Sequence, residues 1–173
     1  LRRLVQMAPR AIIVCAGASH RELVDRGAGE LGLKRASIFG SAPEALTSAV
    51  RAIVALETHR SPGDVALPVL GVPPSHVVIP WEEATIGGFA ATRIIDGPSR
   101  RRIAATVPAL WPPGPYALAA AAVKTIEAIV GGSRRLSNCF VAPEKAARTR
   151  TSALPVRLGP SGIVEVVVPE LSA

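Results

Sequence analysis

The sequence predicts an α/β protein that begins with a strand of parallel-sheet character and alternating helices and ends in short antiparallel strands. Three observations support this. Residues 11–16 (AIIVCA) form a short continuous apolar run, the pattern of a strand covered on both faces. Helical stretches alternate with short strands as far as residue 58. From residue 65 onward, brief apolar segments separated by Gly and Pro take over, and the last two are joined through Gly159-Pro-Ser-Gly162, as in antiparallel hairpins.

The elements follow in order. The chain opens without a methionine and inside the helical pattern LRRLVQM (1–7), so an N-terminal part is expected to precede it. After the strand at 11–16, Ser19 is placed to cap a helix, with Glu22 completing a capping box and Gly32 stopping the helix near Leu31. Residues 37–39 form a short strand. Pro43 suits the first turn of a helix that runs to about Thr58 and is apolar on nearly every side. Residues 65–71 and 77–80 read as strands of a hairpin, with the turn forced by Pro73-Pro74. Glu82 and Glu83 suit a helix start, where the dipole favours acids. A short helix is expected at 100–107. After the breaker cluster WPPGP (111–115), an alanine-rich helix over 116–130 ends at Gly131-Gly132. Residues 135–141, 153–158 and 163–168 complete the chain as antiparallel strands.

Composition narrows the classes. With 173 residues, 49% of them apolar, the chain can bury one good core and is not disordered. The net charge of +7 comes from arginines, which are scattered apart from Arg100-Arg101-Arg102 and Arg134-Arg135. Aromatics are few and no recognition motif accompanies the charge, so nucleic acid is not the expected partner. Cys15 and Cys139 read as small core residues in a reducing compartment, and neither has metal-ligand spacing. No apolar run approaches the roughly 18 residues that span a bilayer, and no signal peptide is evident, so the expected location is cytoplasmic without membrane contact. GAGELG (27–32) matches the Gly-x-Gly-x-x-Gly dinucleotide pattern, but it follows the charged helical stretch 21–26 instead of a strand, and is assigned to a helix end.

The segment PVLGVPPSHVVIPW (68–81) resembles the active-site hairpin of the lactate/malate dehydrogenase family, whose pattern is roughly Gly-Glu-His-Gly-Asp-Ser. PRAIIVCAGA (9–18) resembles the family strand ending in Asn-Pro-Val-Asp. FGSAPEALTSAVR (39–51) resembles its Gly-Ser-Gly-Thr-x-Leu-Asp-Ser-Ala-Arg-Phe-Arg helix, and LGPSGIVEVVV (158–168) its closing strand pair. The segments fall in the family's order, without a gap from Pro9 through Trp81. The resemblance implies the end of a Rossmann-type nucleotide-binding sheet over 1–40 and a substrate domain over 41–173. It also implies NAD as cofactor and a small 2-hydroxy or 2-oxo acid as substrate.

In that family a histidine takes the hydroxyl proton, an aspartate orients the histidine and an arginine holds the substrate carboxylate. Ungapped matching places Pro73 at the histidine, Leu46 at the aspartate, Ala49 at the arginine and Ala18 at the asparagine that ends the strand, with Tyr116 near a pocket-lining hydroxyl. None of the four charged or polar groups is kept at Pro73, Leu46, Ala49 or Ala18. His76 is the substitute base on offer, against the plainer reading of a strand-end histidine. Arg51 could replace the arginine only if the helix turned by about 200°. His20 and His59 are assigned no function.

The expectation is a member of the NAD-dependent malate/lactate dehydrogenase family with impaired or altered activity. The alternative is a non-catalytic relative acting as a binding or subunit-stabilising protein. The 43–56 helix carries more apolar surface than one sheet face covers, so a homodimer through it is expected.

Overall fold

The computed structural model describes residues 1–132, 135–144 and 150–168. Arg134 of the second arginine pair lies outside them. After helix α1 (Arg2–Met7), strand β1 (Ile13–Cys15) pairs in parallel with β2 (Ile38–Gly40), and helix α2 (Arg21–Gly29) makes the crossover. This is the expected end of a parallel sheet. Gly32, at φ 64°, lies just beyond the helix, which stops two residues earlier than its pattern suggested.

The start of α2 corrects the proposed capping box. A 3-10 turn, Ala18–His20, precedes the helix, and Ser19 does not cap it. The imidazole of His20 folds back instead, and its Nδ1 accepts the N–H of Gly17 at 2.9 Å. A Cβ at residue 17 would come within 2.7 Å of His20 Nε2, so glycine is what allows this approach.

Helix α3 (Ala42–Glu57) begins with Pro at its first turn, as its sequence predicts. Leu46, Val50 and Val54 are fully buried in a cluster with Val65, Val69, Ile79, Ile86 and Ile103. Burying each such side chain is worth roughly 1.5–3 kcal/mol. The helix also packs against β8 and α6. Its apolar circumference is therefore covered largely by its own chain, with Ser48, Ala49 and Arg51–Ile53 half-buried and Leu56 exposed.

Residues 65–71 are not one strand. Pro68 removes a ladder donor, and the segment divides into β3 (Val65–Ala66) and β4 (Leu70–Val72), which enter different sheets. The hairpin forms between β4 and β5 (His76–Val78), with Val72 opposite His76. Gly71 has φ 101°, and a Cβ there would lie 2.1 Å from the His76 carbonyl oxygen, so no other residue fits. Glu82 and Glu83 lie in a turn before β6 (Thr85–Ile86), not at a helix start. β6 pairs with β3 and with β7 (Phe89–Ala90).

A single turn, α4 (Ala91–Ile94), leads to α5 (Gly97–Thr106). Asp96 caps α5 by accepting the N–H of Ser99 at 2.8 Å, so the helix starts three residues before the predicted 100. Helix α6 (Pro115–Gly131) ends at Gly132 in the left-handed conformation, as expected of a C-terminal glycine. Strands β8 (Ser137–Val141), β9 (Ser152–Gly159) and β10 (Gly162–Val166) are antiparallel neighbours.

One sheet of seven strands carries most of the chain, in the order β1-β2-β8-β9-β4-β5, with β10 also on β9. β2 pairs with β8 through Gly40 and Phe140, so the parallel beginning and the antiparallel end share a single sheet. Phe39, Cys139, Val141, Val156, Leu158 and Ile163 form the core between this sheet and α6. No helix among the described residues is long and apolar enough to cross a membrane.

Candidate active-site cavity

A cavity of about 400 Å³ opens where β1 ends. Its wall is the 3-10 turn and the first turns of α2, contributing Ala18, His20, Arg21 and Arg26. Pro73 at the tip of the β4–β5 hairpin closes a second side, and Trp111 and Phe140 complete it. The two aromatic rings meet edge to face, with centroids 5.9 Å apart and planes at 78°. Phe140 can approach because Gly40 has no side chain, and a Cβ there would meet the phenyl at 3.1 Å.

The polar groups of this cavity have defined partners. Arg21 is held by Asp25 at 3.6 Å and donates to the Thr151 carbonyl at 3.5 Å. Arg26 reaches Glu30 only at 4.0 Å and is largely exposed. His20 is half-buried, and the Nδ1 bond to Gly17 is the one hydrogen bond of its imidazole among the described residues. Glu22 is the one carboxylate in the lining and is exposed. Arg21 is thus committed within the fold, and Arg26 is the lining cation turned to solvent, beside the exposed Glu22.

Of the residues matched from sequence, the fold brings Ala18 and Pro73 together here, with Pro73 buried. The others lie elsewhere. Leu46 is 1% exposed inside the α3 cluster, and Ala49 is half-buried on the same helix. Tyr116 is 91% exposed at the start of α6. His76 is exposed on β5 and lines neither this cavity nor the larger one below. His20, Arg21, Arg26, Trp111 and Phe140 were not singled out from sequence as site residues. The only local signal was a glycine and a histidine just beyond a buried strand.

A larger cavity, about 560 Å³, is bordered by α3 and includes Arg51, Glu83, Lys124, Arg135 and Asn138. Arg51 is committed there, donating to Glu44 at 3.3 Å and to the Leu67 carbonyl at 3.4 Å. It does not reach the hairpin tip. Glu44 also accepts the Asn138 N–H at 2.8 Å, and the Asn138 amide donates to Thr47 Oγ1 at 2.8 Å and to the Val69 carbonyl. Beside this network, burial and the Glu44 charge push the Cys139 thiol far above its ordinary range. Among the described residues, no three metal-binding side chains converge.

Solved structures share this architecture. The malate dehydrogenase from Aeropyrum pernix superposes with a TM-score of 0.87 at 16% identity, over 99% of this chain and 60% of that one. The chain has the malate/lactate dehydrogenase fold. The lactate dehydrogenase from Cryptosporidium parvum, complexed with lactic acid and nicotinamide adenine dinucleotide, gives 0.88 at 19% identity, over 99% and 59%. The malate dehydrogenase from Salinibacter ruber is 26% identical, with a TM-score of 0.71 over 82% of this chain and 50% of that one. The chain thus spans between half and three-fifths of these three dehydrogenases. No family's sequence pattern matches it, and neither does any curated protein.

The dinucleotide associated with this fold needs a glycine-rich turn directly after a strand. Here Gly27 and Gly29 lie within α2, and Gly27 is spent on packing, since a Cβ would come within 2.3 Å of Ile38 Cδ1. These glycines do not fit a pyrophosphate.

Proposed function

We propose that this chain is the later part of a divergent malate/lactate dehydrogenase relative that binds a small 2-hydroxy or 2-oxo acid and does not oxidise or reduce it efficiently. One observation carries the reading: the hairpin tip that closes the cavity is Pro73, a buried residue with no proton acceptor. Arg26, largely exposed and 4.0 Å from Glu30, is the cationic side chain that a carboxylate would meet there. At the matched positions Pro73 offers no base and Leu46, enclosed by hydrocarbon, no carboxylate for the NAD chemistry of the family.

Steady-state assays of the full-length protein with malate or lactate and NAD test this. Loss of a base and of its orienting carboxylate should each remove several kcal/mol of transition-state stabilisation, at about 1.36 kcal/mol per tenfold in rate. No turnover is expected. A kcat on the order of 10 per second, ordinary for an enzyme, would overturn the proposal.

A further inference from the structure

We propose that His20 is the group this cavity presents to its ligand, as a fixed hydrogen-bond donor. The inference rests on the cavity being a small-acid site, and it concerns a residue for which the matched dehydrogenase pattern supplies no role.

The geometry sets the tautomer. Nδ1 accepts the Gly17 N–H at 2.9 Å, so in the neutral ring the proton sits on Nε2. The ring lies against the bare Cα of Gly17, which holds its orientation. Nε2 makes no hydrogen bond among the described residues, and the ring is half-buried. The ring lines the cavity with Ala18, Pro73 and Arg21. With its lone pair engaged at Nδ1, the neutral imidazole can donate to an oxo or carboxylate oxygen but cannot take the substrate's proton. This makes His20 a binding residue and excludes it as a replacement for the missing base.

Two substitutions separate the two edges of the ring. The amide oxygen of Asn can occupy the place of Nδ1 and keep the Gly17 contact while removing the outward donor. The amide nitrogen of Gln can occupy the place of Nε2 and keep the donor. The experiment is imidazole nitrogen NMR on the full chain, titrated with pyruvate.

The expected spectrum has His20 as the Nε2–H tautomer, with resonances that shift saturably as pyruvate is added. His20→Asn should weaken pyruvate binding about tenfold with an unchanged thermal melt, and His20→Gln should retain most of it. An Nδ1–H tautomer, a His20 signal indifferent to pyruvate, or full binding by His20→Asn would each overturn the inference. Loss in His20→Gln with retention in His20→Asn would reduce His20 to a turn-capping residue and overturn it equally. Turnover assays decide the parent proposal separately: a protein that oxidises lactate but shows the expected His20 behaviour would sink that proposal alone.

Discussion

The carboxylate of Glu44 on α3 accepts the backbone N–H of Asn138 on β8 at 2.8 Å, across 94 positions of sequence. The same carboxylate pairs with Arg51, so one buried acid ties the central helix to the sheet and neutralises a half-buried guanidinium.

Replacing Glu44 by Leu should therefore destabilise the fold by about 3 kcal/mol, since it leaves Arg51 without its counter-charge and a buried N–H unmet. Glu44→Gln keeps the acceptor and should cost about half as much. Urea unfolding followed by circular dichroism would read the difference, and equal losses in the two variants would deny the charge any part.

Restoring the histidine at the hairpin tip should not restore chemistry. In Pro73→His the new imidazole would have no aspartate, because Leu46 belongs to the apolar cluster around Val50 and Val69. Lactate and malate oxidation should stay below about one ten-thousandth of an ordinary kcat near 10 per second. Substantial turnover by this single variant would show that the base was the one missing part.

The two thiols should be inert in the folded protein. Cys139 is 0% exposed and Cys15 is 4% exposed. Burial raises both thiol pKa values, and the reactive thiolate is correspondingly scarce. Iodoacetamide should label neither at pH 8 until denaturant is added. Rapid labelling of native protein would contradict the packing of β1 and β8.

Asp96 gives a pH-dependent contribution of defined sign. The Ser99 N–H, then the Ser99 side chain, and the charges of Arg102 and Arg101 hold its carboxyl below the ordinary carboxylate value. A depressed folded pKa means that the stabilisation is present above the unfolded value of about 3.9 and is lost as pH falls through the folded value. Wild type should exceed Asp96→Asn in stability at pH 7, and the gap should close on acidification below about pH 4. A gap that persists in acid would assign the effect to shape alone.

The parts of the fold governed by local periodicity were legible. The α3 and α6 helices and the Gly159–Gly162 hairpin could be read because Pro43, Gly132 and Gly162 act on their own neighbours. The division of 65–71 was less accessible: Val65 and Leu70 look alike in sequence, and only their partners at Ile86 and Val78 place them in different sheets. The cavity was harder still. Ala18 and Pro73 could be matched one at a time, but the approach of Trp111 and Phe140 depends on contacts between distant segments. His20 is assigned no function from sequence because its significance comes from a backbone N–H three residues earlier, and residue type alone does not show it.

The pairing of β2 with β8 also bears on how the chain is made. β2 ends at Gly40 and its antiparallel neighbour begins at Ser137, so nearly a hundred residues leave the ribosome before that edge can be covered. At about 5–20 residues per second the nascent chain waits on the order of 5–20 s with an open strand edge beside a strongly apolar helix. Contacts of such sequence separation slow folding, and an uncovered edge invites pairing with another chain. A nascent chain cut short before residue 137 should therefore aggregate or depend on chaperones even though its first helix–strand crossover is complete.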